Sequence, residues 1–331
     1  MKKYLLPKEG TFFKANLHSH TNRSDGSASP ETVKQIYKER GYSIVAYTDH
    51  DILLDYSYLC DEDFLALNGT ELDCNGKGTE WANMETCHMN MIALEPDNLK
   101  IVCWHRSQYL YAHAVEYRDQ VQFYEEEPDY IRKYTGEGIS DMMRRGREKG
   151  FFVVYNHPTG SLENYTHYIN YNHMHAMEMY NNREEYNPRV YDDMLRAGKH
   201  IYCVGGDDNH NRPKPDSDVG YSWTMIKADR LEYRTITDAL VKGNFYASQG
   251  PAIYELYVEE GILHITTSDA DRITFTSGNR RSKTCYPEAG KQVLNHASYQ
   301  LFEDNIYIRV TVTDKHGKTA STNAYFVEDI S

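Results

Sequence analysis

Tyr42 to Asp51 reads YSIVAYTDHD, a continuous apolar run that stops abruptly at Thr48, Asp49, His50 and Asp51. Runs of this kind are buried on both faces in parallel sheets. Upstream, Ser29-Pro30-Glu31 offers an N-cap, a first-position proline and an early acid, so a helix is expected through Val33, Ile36 and Tyr37 to a stop at Gly41. Further back, the apolar residues Phe12, Phe13, Ala15 and Leu17 lead through NLHSHTNRSDG, Asn16 to Gly26. Residues i and i+2 of a strand face one side, so His18 and His20 are expected to converge, with Asp25 following in a polar turn. Imidazole and carboxylate together suit Zn, Mn or Fe.

The same layout recurs downstream. LALNGTEL carries Glu71, HMNMIAL begins at His88, FFVVYNHP carries His157, AMEMYNN ends beside Asn181, and HIYCVGGDDNH ends in Asp208 and His210. Helices are expected over Gly138 to Lys149, Pro188 to Ala197 and Thr235 to Lys242. Strand and helix alternating, with polar residues at one strand end after another, is the pattern of an α/β barrel whose site is assembled at that face. Trp104 to Thr135 fits neither period and holds an acidic run, Glu125 to Glu127. It reads as an insertion, either capping the barrel mouth or lying on the surface. From Gly250 the texture becomes short alternating β runs broken by Gly, Asn and Asp, with a hairpin at VTVTDKHGKTAS. A barrel over 1–249 and a small all-β, sandwich-like domain over 250–331 are therefore expected. His264 and His296 lie there without metal-ligand spacing.

Composition narrows the function. With 49 acidic against 36 basic residues and a net charge of −13, the chain is unsuited to coating long nucleic acid. Its six cysteines form no C-x-x-C pair, which reads as reduced thiols of a cytoplasmic protein. The N-terminal apolar stretch is too short for a signal peptide, and no 18-residue apolar run occurs, so no membrane is expected. Tyrosine is abundant, at 29 residues.

Taken in order, HSH, the TDHD turn, the GTEL glutamate, the NHP histidine and the late Gly-X-Asp-X-His of Gly206 to His210 resemble the polymerase and histidinol phosphatase (PHP) family over roughly residues 12–250. The stretch beyond, with SQGP before it and TNAYF near its end, is similar to the β domain appended to a subgroup of that family. The resemblance implies a distorted (β/α)7 barrel in which His18, His20, Asp25, His50, Glu71, His88, His157, Asp208 and His210 hold two or three divalent ions, Mn, Zn or Fe. Asp73 competes with Glu71, and His105 or His113 with His88. The Asp-X-His spacing favours Asp208 over Asp207.

The implied activity is metal-dependent phosphoester hydrolysis by a hydroxide bridged between ions, with Glu71, Asp208 and His210 as the catalytic residues. No Cys-x5-Arg loop, G-x-S-x-G elbow or Walker loop offers another route. The expected substrate is a small phosphorylated metabolite, a nucleotide or a short oligonucleotide. Arg183 and Arg212 follow strand-end motifs and are candidate phosphate ligands, or else pair with Glu184, Glu185 or Asp216. Tyr165, His167, Tyr168, Tyr171, His173 and His175 form an aromatic loop that can stack a base or sugar. Two other readings remain: a hydrolase of carboxylic esters or amides on the same fold, and a non-catalytic metal-holding binding or regulatory protein.

Overall fold

A computed structural model describes residues 2–78, 80–182, 185–212 and 217–330. The strand at Ile44–Tyr47 is buried along its whole length, as its unbroken apolar run requires. It pairs in parallel with Thr11–Asn16 on one side and Leu65–Asn75 on the other. The sheet then departs from strand–helix alternation. Leu65–Asn75 and Thr86–Ala93 are antiparallel, with Glu71 opposite Asn90, and Thr86–Ala93 is antiparallel again to Phe151–Tyr155. Beyond that, Phe151–Tyr155, Ala176–Asn181 and Tyr202–Gly206 run in parallel. The sheet curls until its far edge returns to its start. There His20 N donates to Asn209 O at 2.9 Å and Asp208 N to His18 O at 3.1 Å, around the single parallel bridge Ser19↔Asn209. The expected closed ladder is thus not formed among the described residues: the architecture is mixed α/β, built on one large mixed sheet.

The helices fall within two residues of the expected spans. Pro30–Lys38 starts at Ser29, whose side chain accepts from Thr32 N, and the chain leaves through Gly41 at φ +74°. Gly136–Glu148, Pro188–Arg196 and Tyr233–Val241 follow. The segment after Trp104 folds around a two-stranded ladder of Lys100–Ile101 with Gln122–Phe123 and a 3-10 turn over Ala112–Gln120.

On its other side Thr11–Asn16 pairs with Trp223–Ala228, then Phe245–Ser248, and the sheet passes without a break into Thr319–Thr322, Tyr307–Thr313 and Arg272–Ser277. A second, antiparallel sheet of Lys3–Tyr4, Ile253–Glu259, Ile262–Ala270 and Leu294–Gln300 shares an apolar cluster with it, including Leu256, Leu263, Ile265, Ile273, Phe275 and Val310. Inward and outward residues alternate along Ile262–Ala270, as a sheet with one covered face demands. The Tyr307–Thr313 and Thr319–Thr322 hairpin turns through Gly317 at φ +78°. Among the described residues no helix is long and apolar enough to cross a membrane.

Many of the tyrosines are core residues: Tyr37, Tyr47, Tyr56, Tyr155, Tyr180 and Tyr191 are fully buried. Their hydroxyls find partners, and three of these are carboxylates: Tyr37 donates to Asp207, Tyr56 to Asp49 and Tyr155 to Glu163. Tyrosine here fills volume and satisfies buried anions at once.

Candidate metal centre

The residue at the middle of the site is Glu71, buried near the middle of Leu65–Asn75. Its Oε2 lies 3.2 Å from His18 Nε2, 3.2 Å from His20 Nε2 and 3.3 Å from His50 Nε2. Its Oε1 lies 3.2 Å from His88 Nδ1 and 3.1 Å from His157 Nε2, and accepts from Asn156 Nδ2 at 2.7 Å. Asp208 Oδ1 is 3.2 Å from His18 Nε2 and 3.1 Å from His20 Nε2. Asp25 Oδ2 is 3.3 Å from His210 Nε2 and 3.8 Å from His50 Nε2.

These atoms form three groups with the spacing of metal ligands: His20, Asp25, His50 and His210; His18, Glu71, His157 and Asp208; and His50, Glu71 and His88. His50 and Glu71 belong to two groups each. The nine residues singled out in the sequence are thus brought to one place. Their competitors are used elsewhere. Asp73 accepts from Arg132, and His113 is exposed beside Glu116. His105 Nδ1 accepts from Ser107 N. Asp207 accepts from Tyr37 Oη and the backbone N–H groups of Gly220, Tyr221 and Ser222.

The donor set fits a cation by its own deficits. Three imidazole nitrogens surround Glu71 Oε2, yet this oxygen has no hydrogen bond, and among the described residues His20 Nδ1, 3.5 Å from Asp25 Oδ1, and His50 Nδ1 are buried with no hydrogen-bond partner. Such crowding of unsatisfied buried polar atoms is costly without an ion to organise it.

A second layer fixes which nitrogen faces inward. His18 Nδ1 meets Glu178 Oε1 at 2.8 Å, His157 Nδ1 meets Ser161 Oγ at 3.0 Å, and His210 Nδ1 meets its neighbour Asp208 O at 3.0 Å. Each bond leaves Nε2 for the centre, the arrangement by which outer partners orient metal-binding imidazoles. Glu178 also accepts from His157 N at 3.0 Å and Asn181 Nδ2 at 2.7 Å, so it ties two of the ligands together. Sequence reasoning missed Glu178, Asn156 and Ser161. For Glu178 the signal was present: a glutamate inside the apolar run AMEMY is a charge that must be paired. Asp49 organises the loop between His20 and Asp25, accepting from Thr21 N at 2.7 Å and Ser24 Oγ at 2.7 Å.

Charge is strongly coupled. Burial pulls His20 and His157 down, but carboxylates override it, Asp208 and Glu71 at both residues, and push each up to about 10. For His50 burial wins and the imidazole falls to about 3. Burial would raise Glu71 and Asp208, yet the surrounding histidines hold both well below the usual carboxylate range. Protons on these imidazoles compete with any cation for the same nitrogens.

The substrate candidates fare differently. Arg183 lies outside the described residues, and Arg212 is exposed. In the aromatic loop, Tyr171 is buried and donates to Glu163, Tyr168 donates to Asp193 at 3.0 Å, and His175 accepts from Val153 N at 3.0 Å. These three serve the fold, leaving Tyr165 and His173 as exposed rings of the loop.

No protein-family model matches the chain, and neither does any curated protein. Solved structures similar to it include a two-domain protein containing a predicted PHP-like metal-dependent phosphoesterase from Bacteroides vulgatus, at 17% identity over 94% of each chain and a TM-score of 0.45. A putative metal-dependent phosphoesterase from Bifidobacterium adolescentis matches 62% of this chain and 91% of its own at 16% identity and a TM-score of 0.36. An amidohydrolase from Chromobacterium violaceum, solved with bound sulfate and no metal, matches 70% of this chain and 96% of its own at 15% identity and a TM-score of 0.40.

Proposed function

We propose that this chain is a metal-dependent hydrolase of phosphoric esters, acting on a small phosphorylated metabolite, a nucleotide or a short oligonucleotide. The observation that carries the reading is the sharing of His50 and Glu71 among three ligand groups, which suits two or three adjacent divalent ions, Mn, Zn or Fe. Bound there, such ions supply an activated water and a clamp for phosphate oxygens. The chain's own part is positional. Glu71 offers one oxygen to each side, Glu178 and Ser161 lock the imidazoles of His18 and His157, and Asp208 and His210 reach in from one turn after Tyr202–Gly206. The groups contain three carboxylates, so two or three divalent ions would leave about +1 to +3, a charge that favours an anionic substrate even in an acidic protein.

The architecture we assign to this function is a distorted barrel of the curled strands within 1–249, with 250–331 as a sandwich-like β domain. The six free cysteines support a reducing, cytoplasmic setting, and the acidic balance speaks against long nucleic acid and membranes as partners.

The test is metal content by mass spectrometry, paired with hydrolysis of an aryl phosphate, a cyclic nucleotide and an aryl carboxylic ester, with and without chelator. Two or three ions per chain and chelator-sensitive phosphate release are expected. Turnover of the carboxylic ester alone would move the activity to another bond, bound metal without turnover would leave a metal-holding binding protein, and failure to take up metal would mean that the nine-residue site is mistaken.

A further inference from the structure

One residue at the centre comes from the segment that has no periodic pattern. Tyr111 packs its ring on that of His50, with centroids 5.1 Å apart, while remaining 39 % exposed. Its hydroxyl has no hydrogen-bond partner among the described residues, although Asp25, Asp73, Glu71 and Asp51 all act on it electrostatically. A tyrosine hydroxyl beside a ligand cluster, with no hydrogen-bond partner among the described residues, is a donor left for a ligand.

Its position is enforced. Tyr109 and Ala112 on either side of it hold φ of +74° and +46°, conformations that side chains other than glycine rarely adopt and that persist only where the surroundings over-determine them. Those surroundings are visible. On one side the Tyr109 ring lies 4.0 Å from the Arg132 guanidinium, which is itself held by Asp51 at 2.5 Å and Asp73 at 3.0 Å. Asp51 directly follows the ligand His50, and Asp73 lies opposite the ligand His88 across the ladder. On the other side His113 N donates to Ser24 O at 3.0 Å, the residue before the ligand Asp25. The segment is therefore pinned to the cluster at both flanks of Tyr111.

We infer that Tyr111 is a substrate-binding residue whose hydroxyl donates a hydrogen bond to a phosphoryl oxygen of the substrate held at this centre. The inference rests on the function proposed above and adds to it a donor supplied by residues 104–135, where neither Arg183 nor Arg212 is needed. It also explains why a segment of irregular backbone keeps two strained residues: they aim one side chain.

Tyr111→Phe keeps the ring on His50 and removes only the donor, so it separates binding from packing. Inorganic phosphate is titrated calorimetrically into Mn-loaded wild type and Tyr111→Phe, with metal content measured on both. Unchanged metal content, about tenfold weaker phosphate binding, and a KM for aryl phosphate raised by a similar factor with kcat within about threefold are expected. Tyr111→Ala should weaken phosphate further. Phosphate binding of Tyr111→Phe within twofold of wild type overturns the inference while leaving the phosphoesterase reading intact. A Mn-loaded wild type that neither binds phosphate nor hydrolyses the ester removes that reading, and the inference with it.

Discussion

The two halves of the large sheet solve the same problem in opposite ways. Both bury polar side chains. Around Tyr307–Thr313 each is paired: Arg309 makes a two-pronged contact with Asp192 at 2.8 and 2.8 Å, Tyr307 adds a third bond to Asp192, and Asn323 bonds to Gly243 O and Phe245 O. Around Glu71 the pairing fails. Among the described residues, the buried side-chain atoms without a hydrogen-bond partner all lie before residue 250 except His264 Nδ1, and they include His20 Nδ1, His50 Nδ1 and Glu71 Oε2. A fold that satisfies its polar groups in one half can do so in the other, so the deficit around Glu71 marks a site where something other than the chain completes the bonding.

The sharpest way to break this contrast is Glu71→Gln. The amide keeps the volume but loses the negative charge that faces five imidazoles, so a loss of metal and a fall in chelator-sensitive activity of roughly a thousandfold or more are expected. Metal analysis and kinetics on the folded variant check it. Full activity would show that Glu71 is one more buried carboxylate and that the deficit around it has no functional meaning.

The opposite half predicts the opposite outcome. Arg309→Met leaves the half-buried Asp192 without its cation and with only Tyr307 as a donor, which costs up to about 3 kcal/mol. Denaturant unfolding should register that loss, while the metal bound per folded chain stays at the wild-type value. If metal falls with stability, the two halves are not separable, although Phe245–Ser248 pairs with both Trp223–Ala228 and Thr319–Thr322.

What the sequence disclosed follows the same line. His18 with His20, and Asp208 with His210, are legible because local spacing fixes which way neighbouring side chains point. The end of an apolar run located His157 for a related reason: a polar residue there has little else to do. Glu71 was expected at a strand end too, but the strand runs on to Asn75 and holds it near its middle. Glu178 escaped because its role depends on His18, 160 residues away, and no local pattern encodes that pairing. Tyr111 escaped because its placement comes from left-handed backbone and a buried arginine, neither of which leaves a period. The curl of the sheet was legible as strand repetition, but the antiparallel course of Thr86–Ala93 and the recruitment of Lys3–Tyr4 by Ile253–Glu259 are matters of register between distant strands.

Glu163 sharpens the comparison from within the metal half, because it is a carboxylate there that no ligand group includes. Tyr134 donates to it at 3.1 Å, and Tyr155 and Tyr171 donate as well. Burial nonetheless outweighs the three hydroxyls and pushes the carboxyl up from 4.5 to about 7. The sign follows from linkage: the folded chain holds this proton more tightly than the unfolded one, so the contribution is fully present below pH 4.5 and is lost as pH rises through 7. At fixed metal loading, wild type should lose on the order of 2 kcal/mol relative to Glu163→Gln between pH 5 and pH 8, after allowance for partial exposure. Urea unfolding of both proteins across that range measures the difference directly. Parallel curves would mean that the tyrosines stabilise Glu163 as an anion, and that three hydroxyls can do for this carboxylate what the geometry around Glu71 reserves for cations.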